Sequence, residues 1–201
     1  STEAPTLTDS TTSITYDYSL DGFGSSLASI TYTLGNEGPQ TFTDLRFIVQ
    51  IQADGSNTFL DAASTLPSPW GPAMTGDPAH FQLAEFSPLG LNQAIVSNNG
   101  LNDSDACGGE CDIDFALQWN LASLAPGEIY TLTIGLSDAG QMLSGRGLQA
   151  ISVNSANTAL TFSGTLQAAP IPAPAAVWLF ASGLGVIAGR VRSRGAKSSG
   201  V

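Results

Sequence analysis

Between residues 13 and 166 the chain alternates apolar and polar positions with a period of two, the spacing of strands with one buried face. Ile14, Tyr16, Tyr18 and Leu20 form one such set, and Asp21-Gly22 follows as a turn. Ile30, Tyr32 and Leu34 form the next, ending in the turn Gly35-Asn36-Glu37-Gly38-Pro39. Leu45, Phe47, Val49 and Ile51 continue the pattern, and Asp54-Gly55 predicts a hairpin turn towards Thr58–Leu60. Further on, Ile113, Phe115, Leu117, Trp119 and Leu121 share one side, as do Tyr130, Leu132, Ile134 and Leu136. LQAISV and ALTFSGTL complete the series. Before the C-terminal segment no window has the 3.6-residue period of an amphipathic helix. The pattern predicts an all-β domain over 13–167, an antiparallel β-sandwich that is Ig-like or jelly-roll-like. Within it, 61–111 is rich in Pro, Gly, Asn and Asp and reads as an insertion or long loops. Residues 1–12 are polar and read as a mature N-terminal segment left by signal-peptide removal.

The C-terminus breaks the pattern. Pro170, Pro172 and Pro174 make a stiff spacer, 168–174, that continues neither sheet nor helix. The uncharged run Ala175–Gly189 follows, and Arg190, Arg192, Arg194 and Lys197 close it within 175–201. As a helix, a run of that length reaches about 22 Å, short of the hydrocarbon core of roughly 30 Å. Local thinning and snorkelling of the arginines make so short a span workable. Basic residues after the run predict a cytoplasmic C-terminus with the domain on the far side of the membrane.

Charge sharpens this division. The chain has 201 residues and a net charge of −11. Residues 1–169 hold two arginines against all 17 acids, for −15, while the tail carries +4. So acidic a body repels phosphate backbones, which argues against nucleic acid as a partner. His80 is the only histidine and Lys197 the only lysine. Multi-histidine metal sites and Schiff-base chemistry are therefore absent from the body's repertoire. No Gly-rich phosphate loop stands between a strand and a helix.

The stretch APIPAPAAVWLFASGLGVIAGRVRSRG resembles the C-terminal sorting signal of the PEP-CTERM class of Gram-negative bacteria. Its parts are a Pro-x-Pro motif, a short apolar helix and an arginine cluster. The resemblance implies passage through the inner membrane and processing by an exosortase-like cysteine protease near the prolines. Release or transfer to the cell surface, often alongside exopolysaccharide, would follow. No Glu stands between the prolines here, where the family's signal is named for one. Separately, ITYTLGNEGPQTFTDLRFIVQI and LASLAPGEIYTLTIGL resemble Ig-like repeats of bacterial surface proteins. That resemblance is one of fold and implies no ligand.

Chemistry-bearing residues are few. Cys107 and Cys111, in CGGEC, are expected to form a disulfide outside the cytoplasm. Asp103, Asp105, Glu110, Asp112 and Asp114 offer the oxygen ligands of a calcium site, or else a solvated acidic loop. Asp112 and Asp114 are expected on the solvent face of the strand that buries Ile113 and Phe115. Trp70, in PSPWGP, either packs over the sandwich edge or stacks on sugar rings. His80 has no partner or nucleophile near it in sequence and reads as structural. The expected function is a non-catalytic exported surface or matrix protein that associates with exopolysaccharide or with itself. A carbohydrate-binding or adhesive module, calcium-dependent in one form, is the alternative. No enzyme activity is expected: 17 acids supply carboxylate pairs by chance.

Overall fold

Leu45, Phe47, Val49 and Ile51 stand opposite Leu121, Trp119, Leu117 and Phe115 in antiparallel register. Two of the alternating sets thus share one sheet face, because a strand's buried set fixes its register. The computed structural model describes residues 14–22, 25–52, 61–85, 95, 99–105, 110–111, 113–152 and 159–169. They form eleven strands: β1 Ile14–Asp21, β2 Leu27–Asn36, β3 Phe42–Gln52, β4 Asp61–Leu66, β5 His80–Glu85, β6 Ser104–Asp105, β7 Glu110–Cys111, β8 Ile113–Leu124, β9 Ile129–Ser137, β10 Gly147–Ser152 and β11 Ala159–Ala168. One sheet runs β1-β2-β9-β11-β10-β4-β7 and the other β3-β8-β5-β6. All pairings are antiparallel except the short β5–β6 contact. The domain is therefore an all-β, two-sheet sandwich. The hairpin turn expected at Asp54-Gly55, the segment 1–12 and everything from Pro170 onward lie outside the described residues.

The pairing is nested. β2 pairs with β9, β3 with β8, β4 with β7, and β5 with β6. The β10–β11 hairpin is inserted between β9 and β4. Residues 61–111, expected as an insertion or long loops, supply β4 to β7, and β5 lies directly beside the central strand β8.

Between the sheets Phe115, Leu117, Trp119, Leu83, Ile134, Leu148 and Phe162 are almost fully buried. Phe115 and Phe162 meet across the gap with ring centroids 5.4 Å apart. The Trp119 indole lies against Gly164. A Cβ there would come within 2.9 Å of the ring, and 2.8 Å of both Ile134 Cδ1 and the Thr133 carbonyl. Trp119 N–H donates to the Gly76 carbonyl at 3.2 Å, which also accepts Leu166 N–H at 2.9 Å. The loop before β5 is thereby held against β11. The edge strand β1 leaves Leu20 39% exposed, although it belongs to an inward set.

One residue in each of β3 and β8 breaks the alternation. Phe42 and Leu124 face the core beside Leu45 and Leu121, three positions away rather than two or four. Asp44 absorbs the change with φ 55°. The left-handed region is one that Asp tolerates better than most L-residues.

The two segments that resemble Ig-like repeats touch. Asn36 N–H donates to the Glu128 carbonyl at 3.1 Å, and Gly127 N–H to the Asn36 carbonyl at 2.8 Å. The Asn36 amide, 1% exposed, donates to the carbonyls of Leu124 at 2.9 Å and Gln40 at 2.6 Å. Its oxygen accepts Gly38 N–H at 3.0 Å. Ala125-Pro126-Gly127-Glu128 is a type II turn: Glu128 N–H reaches the Ala125 carbonyl, and Gly127 has φ 79°. Glu128 Oε2 closes it by accepting Ala125 N–H at 2.7 Å.

The outer faces are partly covered as well. Leu101 and Ala116 are buried with Ile48, Ala84 and Ile95 on the side of the β3-β8-β5 sheet away from the core. Gln118 joins this layer to the sheet, its side-chain oxygen accepting Leu101 N–H at 2.8 Å. On the larger sheet, Ser163 Oγ accepts Leu143 N–H at 2.9 Å beneath the β9–β10 connection.

Candidate functional site

His80 opens β5 and Asp103 immediately precedes β6, the strand lying parallel to β5. The parallel pairing brings them together: His80 Nδ1 and Asp103 Oδ2 are 2.9 Å apart. Asp103 Oδ1 accepts Phe81 N–H at 2.9 Å, and Asp103 N–H donates to the Phe81 carbonyl at 3.0 Å. His80, read from sequence as having no partner, therefore has one. The signal was invisible because 23 residues separate the pair. The side chains are 37% and 45% exposed, so water screens their attraction. The arrangement can orient an imidazole, but among the described residues His80 has no hydroxyl or thiol partner to activate.

The acidic stretch is divided. Both oxygens of Asp103 are engaged by His80 and the Phe81 amide. Asp105, opposite Leu83 in register, lines a groove between the sheets. Asp114 lies on the opposite face of β8 from Phe115, as expected, but it is 1% exposed rather than solvated. Its Oδ2 accepts a hydrogen bond from the Gln50 amide at 3.2 Å. Alternation alone does not reveal that this face is covered, as it is at Ala116 by Leu101 and Ile95. Glu110 stands in β7, at the end of the other sheet, opposite Ala62. The side chains of Glu110 and Cys111, and all of Asp112 and Cys107, lie outside the described residues. Among the described residues no three His, Cys, Asp or Glu side chains converge as a metal site would need.

Trp70 sits at the sandwich edge, packed against the core. Its indole N–H donates to the Gly147 carbonyl at 3.2 Å, and the Phe81 ring meets it edge-on at 4.7 Å. The Arg146 guanidinium covers the ring at 4.8 Å from its centroid. Arg146 also donates to the carbonyls of Gly71 and Pro78, the latter at 3.1 Å. That clamp fixes the 67–79 loop, in which the Leu66-Pro67 and Ser68-Pro69 peptides are cis. Trp70 thus packs over the sandwich edge and also helps to line a cavity of about 410 Å³.

Among the described residues no helix is long and apolar enough to cross a membrane. The sorting-signal residues Pro170, Pro172, Pro174, Arg190, Arg192 and Arg194 lie outside them. No protein-family model, curated protein or solved structure matches the chain.

Proposed function

We propose that the chain is a non-catalytic exported protein of the cell surface or extracellular matrix, delivered by its C-terminal segment. The observation that supports this is the order of proline spacer, uncharged apolar run and arginine cluster over 170–194, behind a body of opposite charge. The chain divides into two units, Ser1–Ala169 and Pro170–Val201, at the residue where the sequence changes character. For the body we take the jelly-roll-like alternative over the Ig-like one. Nested pairing of β2–β9, β3–β8, β4–β7 and β5–β6 is the order a folded-over hairpin of strands produces. The parallel β5–β6 contact and the inserted β10–β11 hairpin are its departures.

Fractionation of a Gram-negative host tests the delivery reading. The chain, placed behind a secretory leader, is expected in the inner membrane when no exosortase is present. With an exosortase it is expected at the surface or in the medium, with a mass reduced to an end near the prolines. Truncation after Ala169 is expected to give a soluble periplasmic product in both hosts. Identical fractionation with and without 170–201 would overturn the proposal.

A further inference from the structure

The cavity beside Trp70 lies where β4 of one sheet passes over β5 and β6 of the other. Trp70, Phe81, Leu83 and Pro69 give it an apolar wall, and Ser64, Thr65, Ser68 and Asp105 supply its polar groups. Its volume of about 410 Å³ falls in the range of small-molecule sites, roughly 300–1,000 Å³. The wall is held in place before any ligand arrives. The indole N–H is engaged by Gly147, and the ring by Arg146 above it and Phe81 edge-on, so Trp70 stands in a fixed pose in the wall that it forms with Phe81, Leu83 and Pro69. Among the described residues the hydroxyls of Ser64, Thr65 and Ser68 are not engaged by another side chain.

We infer that this cavity binds a non-acidic pyranose unit of a glycan. A pyranose has a C–H face that packs on aromatic carbon and a rim of hydroxyls that needs donors and acceptors together. Side-chain hydroxyls serve as both, and a carboxylate accepts strongly from sugar O–H or ammonium groups. Charge selects among sugars. Asp105 and a body at −15 repel uronic acids and favour neutral or amino sugars. His80, Asp103 and Asp114 are not in the lining, and no metal is required.

The test uses the full chain in a sugar-free detergent, with cellotetraose, a glucosamine tetramer and a guluronate tetramer as probes. Titration calorimetry and amide chemical shifts report binding. Saturable binding of the first two is expected, with shifts centred on Ser64–Trp70, Phe81 and Asp105, and none of the third. Asp105→Asn is expected to weaken the glucosamine tetramer about tenfold and cellotetraose by less, since only the former loses a charge partner. Ser68→Ala is expected to weaken both several-fold, and Thr33→Ala, on the far part of the larger sheet, neither. Both cavity substitutions are at exposed positions, and an unchanged amide spectrum verifies that the fold is intact. The inference is overturned if neither tetramer binds saturably below about 10 mM. It also fails if the guluronate tetramer binds equally, or if the cavity substitutions leave binding unchanged. Each of these outcomes leaves the delivery reading intact, because that reading rests on 170–201 and on fractionation.

Discussion

Replacing Asn36 by Ala removes the side chain that ties the end of β2 to the start of the β8–β9 turn. Three hydrogen bonds go with it: two donated, to Leu124 and Gln40, and one accepted from Gly38. They are unequal. Gln40 is exposed, so water replaces that donor at little cost. Leu124 is fully buried and Gly38 buried, and water does not readily reach either group. An unsatisfied buried group costs about 1–3 kcal/mol, so the expected loss is about 3 kcal/mol. In a chain of this size that lowers the midpoint of thermal unfolding by roughly 6–12 °C. Urea unfolding followed by circular dichroism is the assay, with an unchanged slope showing that stability rather than compactness has moved. Asn36→Asp keeps the acceptor but loses both donors and sets a carboxylate against two carbonyls. It is expected to be at least as damaging as Ala. Glu37→Ala, one residue on and exposed, is expected to lie within about 0.5 kcal/mol of the parent. A loss below about 1 kcal/mol for Asn36→Ala, or a better-tolerated Asp, would refute the hydrogen-bond account.

Gly164→Ala places a methyl against Trp119, Ile134 and the Thr133 carbonyl, the last of which belongs to the sheet ladder and cannot retreat. A loss of about 2–3 kcal/mol in urea unfolding is expected, with shifted Trp119 resonances. Gly127→Ala meets nothing within 4 Å, so only its φ of 79° matters. It should cost about 1 kcal/mol, and Gly127→Asn less, as compared by denaturation midpoints. Arg146→Lys retains charge but lacks the fork that reaches both Gly71 and Pro78. It is expected to lose about 2 kcal/mol and to speed proteolysis within 67–79, nearly as much as Arg146→Ala.

How far the fold was legible depends on the kind of interaction. Alternation placed Leu45 through Ile51 and Phe115 through Leu121 on one face, and both sets lie there. It worked because a one-residue slip would expose every apolar side chain at once. It did not show the change of phase at Asp44, which needs an unusual φ rather than an unusual residue. Nor did it find β4 and β5 within a stretch rich in turn residues. These strands are short, and their pairing with β10 and β8 is a long-range event with little local signature. The covering layer of Leu101 and Ile95 was hidden for the same reason, as was the burial of Asp114 on the same face of β8.

The site residues follow the same logic from the opposite side. Proximity in sequence suggested that Asp103, Asp105 and Asp114 form one cluster, but strand geometry separates residues according to face and sheet. Asp105 shares a register position with Leu83 and meets the inter-sheet cavity, whereas Asp114 is opposite Ala84 and meets the covered outer face. Asp103 is held by β5 before either, through His80 and the Phe81 amide. Conversely, Ser64, Trp70, Phe81 and Asp105 span 42 positions of sequence and line one cavity, because β4, β5 and β6 converge there. Linear order therefore does not reveal the groupings that strand register and sheet packing make. The residues to test first are those that the two sheets bring together at the edge beside Trp70.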